Sequence, residues 1–329
     1  MSWFFAVPLL LLFLPALWFG VAHLRSRRIA ADAERAVPPA GRFLELDGDR
    51  VHYLDMGEGK PIVVIHGLAG QLHHLRHLGE ALSRDHRVIL IDRPGSGYSI
   101  RRRDKDAALE RQAAMVAALI ERLGLGRSLL VGHSLGGAIS LITALEHPQM
   151  VAGLALIAPL TRYQPAVPPA FRPLMIRSPL LRRLISETVA VPAALRTAPQ
   201  VLDMVFGPQK PPENYAIDGG ALLGLRPGHI YAASTDMVAI GDTMRRVEAR
   251  YGEIAVPTGI LFGAEDRILD HAFHGIALSG RIKGLEIELL PGVGHMPQFA
   301  APTAVEAFVR RMAAKAFAPS PADPTLPQP

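Results

Sequence analysis

Leu129-Leu130-Val131-Gly132-His133-Ser134-Leu135-Gly136-Gly137 is the stretch on which the fold of this chain turns. An apolar run that reads as a buried strand meets Gly-X-Ser-X-Gly, and a helical pattern then continues to Glu146-His147-Pro148. Turning from strand to helix within one residue forces that residue into a strained backbone conformation and lifts its side chain clear of the sheet. Gly132 and Gly136 suit such a turn, because side chains there would collide where the two arms pass. A serine held this way presents its oxygen at a strand tip, with the N-terminal end of a helix behind it. That helix end and the N–H of Leu135 suit an oxygen that becomes negative during acyl transfer. A lone Gly-X-Ser-X-Gly also occurs as a plain glycine-rich turn, so the rest of the chain has to supply its partners.

Upstream, Arg42-Phe43-Leu44-Glu45-Leu46 and Val51-His52-Tyr53-Leu54 alternate around Asp47-Gly48, which predicts a β-hairpin. Pro61-Ile62-Val63-Val64-Ile65 is a continuous β-branched run, the mark of a strand covered on both faces. It ends in His66-Gly67-Leu68-Ala69-Gly70, and a helix carrying Leu72, Leu75, Leu78 and Leu82 follows. Val88-Ile89-Leu90-Ile91 is the next strand, and a helix from Ala107 to Leu123 leads into the serine strand. Leu154-Ala155-Leu156-Ile157-Ala158 comes after it. Strands and helices alternating in this way predict a parallel sheet with right-handed crossovers. From Leu160 to Ile254 the rhythm fails: proline clusters separate helical pieces such as Leu180–Val191 and Ile230–Val247, which predicts an inserted helical unit. It resumes at Pro257–Gly263 and Leu285–Leu290, and a last helix covers Ala304 to Ala316.

A serine hydroxyl attacks poorly unless a base takes its proton, and the base needs an acid to orient it. Both must stand at strand ends on the edge that carries Ser134. Gly263-Ala264-Glu265-Asp266 follows one late strand, and Gly292-Val293-Gly294-His295-Met296-Pro297 follows the next. Of thirteen histidines, His295 alone sits in a glycine-flanked loop after a late strand, which makes it the candidate base. Asp266 is the candidate acid, with Glu265 and Asp270 as alternatives. The backbone N–H groups of Leu68 and Leu135 are the candidate oxyanion donors. His73 and His77 share a helical face, but no His-Glu-X-X-His or convergent carboxylate joins them into a metal site. Neither Gly-X-Gly-X-X-Gly nor a phosphate-binding loop with Lys occurs, so nucleotide chemistry has no support and no cofactor is implied.

The chain has 329 residues, nearly half of them apolar, and lacks cysteine. That excludes disulfides, thiolate metal sites and a cysteine nucleophile. Its formal charge of +5 is not accompanied by the aromatics that a basic nucleic-acid-binding surface would interleave. No charged residue occurs from Ser2 to Leu24, and Arg25, Arg27 and Arg28 close that run. The pattern predicts an uncleaved transmembrane anchor over residues 1–28, since about 20 apolar helical residues span a bilayer. The basic flank after the run predicts a single-pass protein whose catalytic domain faces the cytoplasm. Residues 29–40 read as a tether, and the proline-rich residues 317–329 as a disordered tail.

Taken in order, His66-Gly67, Asp92-Arg93-Pro94-Gly95-Ser96-Gly97-Tyr98-Ser99, Gly132-His133-Ser134-Leu135-Gly136-Gly137, Gly263-Ala264-Glu265-Asp266-Arg267 and Gly294-His295-Met296-Pro297 resemble the α/β-hydrolase family. The resemblance implies an α/β fold with a mostly parallel eight-stranded sheet flanked by helices, and a helical cap inserted after strand six. The core would be residues 41–159 and 255–316, and the cap residues 160–254. It implies Ser134, Asp266 and His295 as the triad. Epoxide hydrolases and haloalkane dehalogenases of the family carry Asp at the elbow, so serine implies hydrolysis of an ester, thioester, amide or carbon–carbon bond. The expected protein is a membrane-anchored serine hydrolase acting on an apolar acyl substrate. A cofactor-free perhydrolase or haloperoxidase-like enzyme would use the same triad, and a non-catalytic ligand receptor would not need all three residues.

Overall fold

The computed structural model describes residues 3–319; the side chains of residues 3–13, Pro15 and Asp242 lie outside that description. Eight strands form one sheet: β1 (Arg42–Leu46), β2 (Asp49–Met56), β3 (Lys60–Ile65), β4 (His86–Ile91), β5 (Ser128–His133), β6 (Val151–Ile157), β7 (Thr258–Gly263) and β8 (Glu286–Leu290). Their order is β1-β2-β4-β3-β5-β6-β7-β8. The β1–β2 and β2–β4 pairs are antiparallel and all the others parallel. The helices are α1 (Trp3–Ala36), α2 (Arg76–Leu82), α3 (Leu109–Arg122), α4 (Leu135–Glu146), α5 (Pro179–Glu187), α6 (Ala190–Phe206), α7 (Pro227–Val247), α8 (His271–His274), α9 (Pro297–Ala300) and α10 (Pro302–Ala316).

The continuous apolar strands are explained by burial on both faces. Val63 and Ile65 of β3 point into one core with Leu109, Val116 and Ile120 of α3 and with Ile139 and Ile142 of α4. Ile62 and Val64 point the other way, onto Leu78 and Leu82 of α2 and Phe308 and Met312 of α10. Side chains alternate faces along a strand, so only a strand sandwiched between helices reads as unbroken hydrophobe. Each such side chain contributes about 1.5–3 kcal/mol by leaving water. The parallel register brings the carboxyl ends of β3, β5, β7 and β8 to a single edge, and each runs into a loop singled out in the sequence. Helices α5, α6 and α7 lie between β6 and β7, where the strand–helix rhythm fails.

The N-terminus corrects the sequence expectation. Among the described residues, no helix is long and apolar enough to cross a membrane. The transmembrane anchor, the single-pass placement and the cytoplasmic orientation that rested on it therefore do not stand. The side chains of residues 1–13, which carried most of that expectation, lie outside the described residues. Nor does α1 end at its arginines. It runs on through Asp32 and Glu34 to Ala36, across the expected tether. This second half docks on the cap: Ser26 Oγ donates to the Thr188 carbonyl at 2.9 Å, Arg27 pairs with Glu187 at 3.2 Å, and Arg226 pairs with Glu34 at 3.1 Å. Ala30, Ala33 and Val37 are buried. Arg27 thus has a protein partner and does more than close an apolar run. The proline-rich tail from 320 onward lies outside the described residues.

Candidate active site

Ser134 is the residue between β5 and α4, and its backbone has φ 54° and ψ −117°. A non-glycine residue at positive φ costs of the order of 1–3 kcal/mol and persists only where its surroundings dictate it. They do so here from both sides. The Ser134 N–H donates to the Ile157 carbonyl of β6 at 3.0 Å, and its carbonyl accepts from Gly137 and Leu160. A Cβ added at Gly132 would lie 2.5 Å from the Gly136 carbonyl oxygen, and one at Gly136 would lie 2.1 Å from that of Ile65. Both glycines are required by close passage of the backbone. Ser134 itself is half-buried amid a fully buried neighbourhood.

Asp266 and His295 are brought together. His295 Nδ1 donates to Asp266 Oδ2 at 2.7 Å, and both side chains are buried. The other carboxylate oxygen, Oδ1, accepts from the N–H groups of Ile268 at 2.8 Å and Leu269 at 3.0 Å. That set of donors fixes the carboxylate, and of the three acidic candidates Asp266 is the one that meets His295. Glu265 is exposed, and Asp270 accepts from the Phe273 N–H as the N-cap of α8. With Nδ1 committed to Asp266, Nε2 of a neutral His295 carries the lone pair that can take a proton. His133, next to Ser134, donates from Nε2 to the His295 carbonyl at 3.0 Å, and the two rings lie 5.0 Å apart. Burial, followed by the proximity of His295, holds the His133 pKa well below the usual imidazole range. Ser134 Oγ makes no hydrogen bond among the described residues.

The loop after β3 presses against the serine. A Cβ on Gly67 would fall 2.9 Å from Ser134 Cβ, so glycine is needed for Leu68 to reach this edge. Among the described residues the Leu68 N–H donates to no backbone carbonyl. Leu135 is the first residue of α4, where N–H groups are free of helical partners. His66 is held neutral by burial and then by the positive charge of Arg93. Its Nδ1 donates to the Gly67 carbonyl at 2.8 Å, and its Nε2 accepts from the Arg93 N–H at 3.0 Å.

Above this edge the cap encloses a cavity of about 650 Å³, bounded by Ala69 on the sheet side and by Phe171, Ile185, Val189, Ala194 and Val201 of the cap, among others. Two charged residues line it, Arg182 and Glu213. The Arg182 guanidinium already donates to the Ile176 carbonyl, Ser234 Oγ and Thr235 Oγ1. Leu180, Leu181 and Leu184 of the cap are exposed. Phe206 packs against Tyr215 and Phe299. Sequence reading also passes over Arg93, Asp236 and His229, whose roles depend on contacts between segments far apart in the chain. The signal available for Arg93 is its place in Asp92-Arg93-Pro94-Gly95.

Residues 60–302, more than half of the chain, match the sequence model of the alpha/beta hydrolase fold. The 2-hydroxy-6-oxo-6-phenylhexa-2,4-dienoate hydrolase of Burkholderia cepacia is 27% identical over 266 residues, covering 77% of this chain and 87% of that protein. The dihydrolipoyllysine-residue acetyltransferase component of the acetoin cleaving system of Pseudomonas putida is 37% identical over 128 residues. That match covers 38% of this chain and only 34% of the relative's length. Among solved structures, a bacterial membrane phospholipase A superposes with a TM-score of 0.65 at 23% identity, covering 95% of this chain and 99% of that one. Likeness at that identity is likeness of fold.

Proposed function

Because the chain belongs to the α/β-hydrolase fold family, we propose that it is a serine hydrolase that cleaves an apolar acyl ester or thioester through an acyl-enzyme on Ser134. The observation that carries this reading is the Asp266–His295 pair, whose loop is tied through His133 to the strained serine. His295 Nε2 takes the Ser134 proton as Oγ attacks the acyl carbonyl. The new oxyanion is met by the N–H groups of Leu68 and Leu135, which carry more weight in a site shielded from water. The protonated imidazole is stabilised by Asp266 and returns its proton to the leaving group. Water, activated by His295, then releases the acid. Cavity size and lining favour an apolar acyl chain, since drug-sized apolar pockets run to roughly 300–1,000 Å³.

The relative that acts on a dienoate suggests carbon–carbon bond hydrolysis as a second reading. A carboxylated substrate of that type would need a cation in the cavity, and the guanidinium of Arg182 already makes four hydrogen bonds to three protein acceptors. The apolar ester is therefore the better fit. The phospholipase similarity is an analogy of fold and adds no residue-level support. A series of p-nitrophenyl esters from two to twelve acyl carbons tests the reading. Turnover of the series that is lost in Ser134→Ala is expected, and hydrolysis that survives this substitution would refute it.

A further inference from the structure

We infer that Arg93 is a positioning residue for the oxyanion site, and that through Asp236 it couples the seating of the cap to the direction of the Leu68 N–H. This rests on the reading of Ser134 as nucleophile. Arg93 is completely buried, as is Asp236 on α7 of the cap. Its guanidinium faces two ways. Toward the loop after β3, Nε donates to the His66 carbonyl at 3.1 Å and the terminal NH2 donates to the Gly67 carbonyl at 2.9 Å. Toward the cap, the other terminal nitrogen donates to Asp236 Oδ2 at 2.7 Å and to Gln112 Oε1 at 2.6 Å. Asp236 is also held by Arg101.

The consequence follows from the peptide plane. A trans peptide is planar, with its C=O and N–H on opposite sides. Whatever fixes the Gly67 carbonyl therefore fixes the direction of the Leu68 N–H. That carbonyl accepts from Arg93, from His66 Nδ1 and from the Gly70 N–H at 3.2 Å. One of these three donors is cationic, which draws electron density out of the amide and strengthens its N–H as a donor. The same loop meets the cap three more times: His229 Nε2 donates to the Ala69 carbonyl at 3.1 Å, Gln71 Nε2 donates to the Gly219 carbonyl at 2.6 Å, and Tyr215 contacts His74 at 3.1 Å. The ion pair is the contact that runs from the cap to the carbonyl opposite the Leu68 N–H. A cap that shifts α7 would pull on that carbonyl.

Arg93→Lys separates this role from charge alone, because an ammonium keeps the charge but cannot span two loop carbonyls and a carboxylate in one plane. Rates are normalised to the number of sites titrated by a fluorophosphonate, so misfolded protein is not counted. Arg93→Lys is expected to lower kcat by about tenfold or more with KM within twofold, and to slow phosphonylation in parallel, since both steps place charge on the oxygen facing Leu68. Asp236→Asn should lower kcat by about threefold or more with KM unchanged, and it decides the matter if Arg93→Lys does not fold. Arg87→Lys, in the Arg87–Asp55 pair at the far side of the sheet, serves as the control and should leave kcat unchanged. A kcat within twofold of wild type in folded Arg93→Lys, or a loss confined to KM, overturns the inference while leaving the serine mechanism intact. Wild-type protein that takes up no fluorophosphonate would refute that mechanism, and the inference with it.

Discussion

The reading of Ser134 as a nucleophile rests on local constraints: an apolar strand, three glycines and a helix start lie within nine residues. Ser134→Ala and His295→Ala should each lower kcat by about 10³-fold or more with folding retained, because triad members act as a unit. Burst and steady-state assays on a p-nitrophenyl ester check this, and a loss of tenfold or less in both would sink the mechanism. The acid was less legible. Sequence spacing offers Glu265, Asp266 and Asp270 within six residues, and only the fold tells which carboxylate turns inward. The N–H groups of Ile268 and Leu269 and the ring of His295 all donate to Asp266. Asp266→Asn should therefore cost activity heavily by presenting the wrong imidazole tautomer. Asp270→Asn should change kcat little, since asparagine also serves as an N-cap. A reversal of the two kinetic results would reassign the acid.

At the scale of elements, alternating strands and helices gave away the sheet because period-two and continuous apolar runs follow directly from one-sided and two-sided burial. The cap showed itself only as a failure of that rhythm. Which of its hydrophobes face the cavity depends on how α5, α6 and α7 cross, and composition does not encode crossing. Leu180, at the start of α5, is 84% exposed, whereas Ala194 of α6 lines the cavity. Ala194→Trp should accordingly shift the preferred ester toward shorter acyl chains, lowering kcat/KM for a ten-carbon ester by about tenfold while sparing a two-carbon one. Equal effects on both would place the acyl chain elsewhere. The N-terminal segment departs from its sequence pattern for a related reason. Its arginines read as the flank of a membrane span, while Arg27 is a partner of Glu187 on the cap, a contact between positions 160 residues apart.

Across the molecule, burial holds several histidines neutral. Burial is the leading cause at His66, His74, His133, His229 and His274, with His74 brought down to about 3 and His229 and His274 to about 4. Each has a folded-state pKa below its unfolded value near 6.5, so below that pH the unfolded chain binds more protons and stability falls. Each histidine still neutral in the fold removes about 1.4 kcal/mol per pH unit in that window, down to its own folded pKa. Urea midpoints should therefore drop clearly between pH 7 and pH 5, and equal midpoints would contradict the buried neutral assignment. The central claim concerns the bond formed at Ser134, and the most direct test is to quench the enzyme during turnover of a p-nitrophenyl ester and map the acyl group by peptide mass spectrometry. An acyl adduct on Ser134 that fails to form in Ser134→Ala is the predicted result. Turnover with no acylated peptide, or with the acyl group on another residue, would contradict it.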